Sequence, residues 1–512
     1  MDLATLFERV VIRAPDAVAI VDGNYCATYD EWRDEIRGLA GGLRTLGLKP
    51  GDHFVPILSN RREMASLYWA CQMLGVIFTP FNWRATVDEI TYVLKDAETV
   101  AIAYEARSAD AAIQAADRCG ISRRIDIDSG VYAQLTAHPP IAPPARRDDA
   151  ETCLMLYTSG TTGRPKGVPR SHAAERLAST HCVAQLGYDY HESCLGVMPL
   201  FHTMGIRALT MSALVNGKFV CMPAFNGADA LQLIEKEQIT AMFLVPTMFH
   251  DMLSHPGFDG FDTASVSNLG YAGMAMTSDL TARCASSFKP RKFTNYYGSS
   301  EIYTFTFCDH VIDKPGCAGR ASIGQEIRVV RADPDGAAGP DDILPRGETG
   351  EIIAPLDGLE AFSGYWKRPD ADAKAIRQGW YFTGDLGAFD EDGELYVVGR
   401  VDDMIISGGE NIHPEEVEDL LDASPLVARA AVVGLPDERW GQKVVAFIEP
   451  ASDAASADAL DAACLAGDLA RFKRPRAYVF VEQIPCSASG KLLRRFLRDG
   501  DYSLRTDYKS TL

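Results

Sequence analysis

One stretch restricts what this chain can fold into more than any other: Tyr157-Thr158-Ser159-Gly160-Thr161-Thr162-Gly163-Arg164-Pro165-Lys166-Gly167-Val168. It follows the apolar run Cys153-Leu154-Met155-Leu156, which reads as a strand, so it predicts a loop at a sheet edge. The loop is rich in backbone N–H donors and hydroxyls and carries a cationic side chain, which suits it to a polyphosphate. Gly160, Gly163 and Gly167 let the main chain approach a phosphate closely. Thr158, Ser159, Thr161 and Thr162 add hydroxyl donors, and Lys166 can follow the outer phosphates. The spacing is not that of a Walker A loop, because Pro165 precedes the lysine and Gly167 stands where that motif needs Ser or Thr.

A chain of 512 residues exceeds what one hydrophobic core serves, so two or more domains are expected. No run of about eighteen apolar residues occurs, and Met1-Asp2-Leu3-Ala4-Thr5 lacks the basic-then-apolar pattern of a signal peptide; a cytoplasmic location without a membrane partner is expected. The twelve cysteines are scattered with no C-x-x-C, which predicts reduced, mostly buried thiols rather than a disulfide framework or a zinc site. A net charge of −20 argues against nucleic acid as a partner. Anionic substrates would therefore depend on local Lys and Arg.

Periodicity predicts α/β layering. Ile36, Leu39, Leu43 and Leu46 line one helical face; His53 to Leu58 and Thr99 to Tyr104 read as strands, Met64 to Leu74 as a helix. A proline-rich segment, 136–144, leads to the phosphate loop, and beyond the loop Ala228 to Gln238 suits a helix and Thr240 to Val245 a buried strand. Near the C-terminus His413-Pro414 opens a helix with Val417, Leu420 and Leu421 on one face. Strands at Arg429 to Val433, Val444 to Ile448 and Tyr478 to Val481 follow. Arg471-Phe472-Lys473-Arg474-Pro475-Arg476 is the densest basic cluster of an acidic chain.

The 157–168 loop resembles the signature of the adenylate-forming superfamily of acyl-CoA ligases, luciferases and adenylation domains. Other segments resemble that family in the same order: Gly270 to Ala275, Asn295 to Glu301, Gly379 to Gly387, Gly399 to Asn411, and Pro485 to Arg495. The resemblance covers nearly the whole chain and is closest to bacterial 4-chlorobenzoate-type aryl-CoA ligases. It implies an α/β fold with a large multi-layer N-terminal domain over 1–401, its sheets packed by helices, and a small mobile α+β lid over 402–512. The substrates implied are a carboxylic acid, ATP with Mg²⁺, and coenzyme A, and it leaves room for a homodimer.

The resemblance also implies roles. Nucleotide contacts fall to Thr158 to Gly163, Lys166, Gly273, Met274, Ala275, Asn295, Tyr296, Tyr297, Gly298, Ser299 and Ser300, with Tyr297 stacking on adenine. Asp385 would accept from the ribose hydroxyls with Arg400 beside it. Glu301 and Thr161 would hold Mg²⁺. Lys491 would be catalytic with Lys166, Glu301 and His202, and Asp402 would be the hinge. The acyl pocket would be lined by His202, Met204, Ala272, Gly298, Tyr303 and Thr304, a set that suits an aromatic or alicyclic acid. Arg207 could reach a second anionic group, although a paired arginine is the plainer reading. CoA would meet Arg84, Ser407, Gly408, Gly409, Trp440, Phe472, Lys473 and Arg474. A medium-chain fatty acid, or transfer to a carrier-protein thiol instead of CoA, remains an alternative.

Overall fold

The computed structural model describes residues 1–142, 146–158, 164–333, 337–408, 410–467, 469–486 and 492–511, with Asn411 described by its main chain. Thr161, Gly409 and Lys491, and Ser159, Gly160, Thr162 and Gly163 of the phosphate loop, lie outside these residues. The chain divides into two compact units, Met1–Glu326 with Pro355–Ala373, and Ile327–Ala354 with Lys374–Leu512. The second unit holds the expected 402–512 segment together with strands that precede residue 401.

In the first unit, a nine-stranded sheet runs in the order Arg320–Ala321, Thr306–Cys308, Lys292–Tyr297, Asn268–Ala272, Ala241–Leu244, Ser193–Gly196, Lys218–Cys221, Val18–Asp22, Tyr25–Thr28. Its central strands, from Lys292–Tyr297 to Val18–Asp22, are parallel. A six-stranded sheet contains His53–Ile57 and Ala101–Tyr104, both read from the sequence, and ends in the antiparallel pair Thr152–Thr158 and Lys166–Ser171.

Helices Tyr29–Thr45, Arg62–Leu74 and Thr203–Leu214 share one core with strands of both sheets, Phe54, Phe78 and Leu154 from one and Ile20 and Phe219 from the other. The helix Arg62–Leu74 is buried from Glu63 to Leu74, as its nearly unbroken apolar sequence requires. Thr28 starts the 29–45 helix with a capping box to Glu31. Ile36, Leu39 and Leu43 face the core, while Leu46 forms the C-cap and packs only partly.

The second unit contains a five-stranded sheet in which Trp380–Phe389 pairs with Leu395–Arg400. Its other sheet is built on the long hairpin Val427–Asp437 and Gly441–Pro450, with Ala477–Phe480 added in parallel. The helix Pro414–Asp422 begins with proline at its first turn and buries Val417 and Leu421. All twelve cysteines are free thiols, nine of them buried. Among the described residues no helix is long and apolar enough to cross a membrane.

Candidate active site

In parallel sheets ligands gather at the C-terminal ends of the strands. Three strand ends of the nine-stranded sheet carry sequence-predicted residues: Ser193–Gly196 leads towards His202, Asn268–Ala272 into Gly273, and Lys292–Tyr297 into Gly298 to Glu301, with Ala241–Leu244 between the first two. Two glycines fix this edge. A Cβ on Gly298 would lie 2.0 Å from the Tyr303 carbonyl oxygen, and one on Gly205 would lie 2.1 Å from that of Pro199. The 298–303 turn and the His202 loop therefore tolerate no side chain there. Gly273 has φ +92°, and Met274 beyond it is exposed.

His202 caps the helix Thr203–Leu214. Its Nδ1 accepts from the Met204 N–H at 3.4 Å, which leaves Nε2 to carry the proton of the neutral ring. Thr203 Oγ1 lies 2.9 Å from Ser300 Oγ, so the helix start and the 298–301 turn meet through hydroxyls. Tyr297 is half-buried, with its ring 5.1 Å from that of Phe305. Asn295 and Tyr296 serve the interior instead. Asn295 Nδ2 donates to the Cys317 carbonyl at 2.7 Å, and the Tyr296 ring packs edge-on against Phe243.

The strands on either side of residues 159–163 are an antiparallel pair at the edge of the six-stranded sheet, with Thr158 opposite Lys166 in register. Lys166 Nζ lies 4.1 Å from the centre of the Tyr365 ring, and Tyr365 Oη donates to Glu301 Oε1 at 2.6 Å. The segment around Tyr365 is a strap between the two motifs: Trp366 N–H donates to the Gly167 carbonyl at 2.9 Å, and Phe362 N–H to the Glu301 carbonyl at 2.9 Å. Arg170, wholly buried, holds the same Glu301 carbonyl through Nη1 at 3.0 Å and the Glu360 carbonyl at 2.6 Å, while its Nε donates to Glu175 at 2.9 Å. Burial pushes the Glu175 carboxyl up, and Arg170 opposes this.

Neither Tyr365 nor Arg170 was singled out from the sequence. The Ser363-Gly364-Tyr365-Trp366 turn, glycine followed by paired aromatics, was the signal available for the first; a lone arginine in a strand gave none for the second. Glu301 keeps one carboxylate oxygen beyond the Tyr365 bond. One carboxylate suits Mg²⁺ shared with phosphate oxygens, and no group of three or more metal-type ligands occurs among the described residues.

In the second unit, Asp385 and Arg400 stand opposite each other across paired strands, with Arg400 Nη1 2.7 Å from Asp385 Oδ1. Asp402 lies in the short turn Val401–Asp403 that follows. Ser407 ends a short strand, and Gly408 has φ +62° and packs on the Trp440 ring, which a Cβ would reach at 2.8 Å. Trp440 and Phe472 are exposed large rings. The basic cluster is less free than its sequence suggests: Lys473 pairs with Glu416, and Arg474 with Asp461 at 2.8 Å. In the first unit Arg84 stacks 3.9 Å over Trp83, with Arg107 5.1 Å from the same ring.

The described residues that flank 487–491 are paired on both sides. Cys486 bridges Leu492 in antiparallel fashion, and Arg494, next in sequence, is buried among Asp403, Glu415 and Glu418 at 3.1, 2.9 and 2.6 Å. Burial raises the Glu415 carboxyl to about 7 despite Arg494. Arg498 pairs with Asp403 as well.

Family models of the AMP-binding enzyme and of the AMP-binding enzyme C-terminal domain match residues 7–366 and 416–491. The chain is 33% identical over 490 residues to a feruloyl-CoA synthase of Amycolatopsis, covering 95% of this chain and 96% of that one. It is 33% identical over 511 residues to a 4-chlorobenzoate–CoA ligase of Arthrobacter, covering 97% and 95%. The o-succinylbenzoate CoA synthetase of Bacillus subtilis, solved with its acyl-adenylate intermediate, superimposes with a TM-score of 0.87 at 27% identity over 98% of this chain and 99% of that one. With both models matched in order along one polypeptide, the chain belongs to the AMP-binding enzyme family.

Proposed function

We propose that the chain is an acid–thiol ligase that adenylates an aromatic or alicyclic carboxylic acid with Mg·ATP and then transfers the acyl group to coenzyme A. A carboxylate resists thiol attack because it is resonance-stabilised, anionic and without a usable leaving group. In the first half-reaction a carboxylate oxygen attacks the α-phosphorus of ATP, the bond to the bridging oxygen breaks, and pyrophosphate leaves with an acyl-adenylate formed. In the second, the CoA thiol loses its proton, sulfur attacks the acyl carbon, and AMP leaves.

The enzyme's task is to hold mutually repelling anions in line and to stabilise the charge on the phosphates. Lys166 and the loop amides meet the outer phosphates, and Ser300 supplies a hydroxyl to the inner one. Glu301, fixed by Tyr365 and by the backbone clamp of Arg170, would hold Mg²⁺ with Thr161, and the ion would neutralise phosphate charge. Tyr297 stacks on adenine, and Asp385 with Arg400 takes the ribose. His202 sits beside the acid with Met204, Ala272, Gly298, Tyr303 and Thr304 around the acyl group.

Lys491 bridges carboxylate and phosphate oxygens in the first half-reaction. The 402–512 segment then turns about Asp402, and the Ser407-Gly408-Gly409 loop admits the pantetheine arm while Arg84, Trp440, Phe472, Lys473 and Arg474 receive the CoA nucleotide. The observation that carries the reading is the Lys166–Tyr365–Glu301 chain, which joins the phosphate loop of one sheet to the metal-type carboxylate of the other. AMP formation assayed across a panel of aromatic, alicyclic and medium-chain acids with CoA tests it. An aromatic or alicyclic acid should give the highest kcat/KM, and preference for fatty acids, or for a carrier-protein thiol over CoA, would replace it.

A further inference from the structure

The helix Thr203–Leu214 carries a charged residue that the adenylation chemistry leaves unused. Arg207 is 2% exposed, and among the described residues no carboxylate lies within 4.0 Å of it. The buried carboxylate nearby, Glu175, is paired with Arg170 at 2.9 Å. Both hydrogen bonds of Arg207 leave from Nη1, to the Tyr303 carbonyl at 3.2 Å and the Thr304 hydroxyl at 2.8 Å, and Nε has no partner. The rings of Phe243, Tyr296 and Tyr303 lie 4.8, 5.5 and 5.8 Å from the guanidinium carbon. The buried hydroxyl of Tyr296 is engaged by Cys182.

Aromatic faces attract a cation but accept few of its hydrogen bonds, and a buried cation without a counter-charge is costly. This pocket therefore has a guanidinium nitrogen to spare and no carboxylate in direct contact with it; Glu175, the buried carboxylate that feels its charge, is held by Arg170 instead. Its place is informative. Arg207 follows Thr203 by four residues, on the same helical face and about 6 Å further along the axis, and Thr203 touches Ser300 at the edge where the reacting carboxylate belongs. Tyr303 and Thr304, the residues that bind Arg207, are themselves acyl-pocket positions.

We propose that Arg207 receives a second carboxylate of the substrate, so that the acid activated here is a dicarboxylic acid whose far carboxylate lies about one helical turn from the adenylated one. The inference rests on the ligase reading of the same pocket and names the class of acid it takes. Nε and Nη2 of Arg207 would donate to that carboxylate. A monoacid of the same size leaves these donors unanswered, and sites built to hydrogen-bond a group reject analogues that lack it by large factors.

The test pairs acids that differ only in the far carboxylate: isophthalate against benzoate, homophthalate against phenylacetate, and cyclohexane-1,3-dicarboxylate against cyclohexanecarboxylate, with the full-length protein, Mg·ATP and CoA. For at least one pair the diacid should exceed its monoacid in kcat/KM by about 100-fold or more. Arg207→Gln should abolish that preference, lowering kcat/KM for the diacid about 100-fold more than for its monoacid. As a readout independent of any variant, the preferred diacid should raise the melting temperature of the wild-type protein and its monoacid should not. Monoacids preferred throughout, or a diacid preference that survives Arg207→Gln, overturn the inference while the ligase reading stands. If no acid of either kind yields AMP, the ligase reading falls and this inference with it.

Discussion

Replacing Arg170 by Met should separate the stability of the first unit from the chemistry at Glu301. The guanidinium is wholly buried, its ion pair with Glu175 is 0% exposed on both sides, and it holds the Glu301 and Glu360 carbonyls. Methionine keeps most of the volume but leaves Glu175 facing a buried site without its ion-pair partner, takes the Arg170 donor from the Glu360 carbonyl, and leaves the Glu301 carbonyl with the Phe362 N–H alone. Breaking a buried pair from one side costs about 3–5 kcal/mol, most of it from the stranded charge. Urea unfolding of Arg170→Met should therefore show a loss of that order. The double variant Arg170→Met/Glu175→Leu removes the stranded carboxylate and should recover at least roughly half of the loss, since apolar replacements of whole buried pairs are often near neutral. Neither variant restores the clamp on the Glu301 carbonyl, so adenylation should stay down by about 100-fold in both, the scale on which misplacing a positioned group by about an ångström is felt. A single variant within about 1 kcal/mol of wild type, or a double variant with full adenylation, would refute the reasoning.

Tyr365→Phe removes the 2.6 Å hydrogen bond to Glu301; the Mg²⁺ concentration for half-maximal rate should rise about tenfold, read by metal titration, with stability in urea lowered by no more than about 1.5 kcal/mol. Lys491→Ala should lower acyl-adenylate formation by about a thousandfold while sparing thioester formation from supplied acyl-adenylate, and equal loss of both would contradict its role. Glu415 titrates at about 7 in the folded chain, above the ordinary carboxyl value, so between about pH 4.5 and 7 the folded state binds the extra proton and the group's contribution to stability falls as pH rises. With the side chain still 30% exposed, the fall should be about 1–2 kcal/mol. Glu415→Gln should flatten that part of the stability–pH curve, and an unchanged slope would reject the assignment.

Readability from sequence followed the range of the interactions. The helix of residues 29–45 and the strand of 53–57 are fixed by apolar spacing and local caps, and both stand where periodicity puts them. The 157–168 stretch stands out because its glycines, hydroxyls and lysine are contiguous, although the place of its flanking strands at a sheet edge depends on strand partners far along the chain. Long-range pairing was not readable at all. Nothing in Arg170 itself tells that it will meet Glu301 and Glu360, and nothing in Lys473 or Arg474 tells that Glu416 and Asp461 will neutralise them. Strand alternation, by contrast, could have separated Tyr296 from Tyr297: neighbours in a strand point to opposite faces, and Tyr296 is buried while Tyr297 remains half-accessible.

Exchange of labelled pyrophosphate into ATP, measured without CoA, asks whether the chain makes a mixed anhydride as a separate step. Exchange that depends on a carboxylic acid and on Mg²⁺, followed by thioester and stoichiometric AMP once CoA is added, is the predicted result. Absence of exchange with every acid tried, or ADP and phosphate in place of AMP and pyrophosphate, would contradict it.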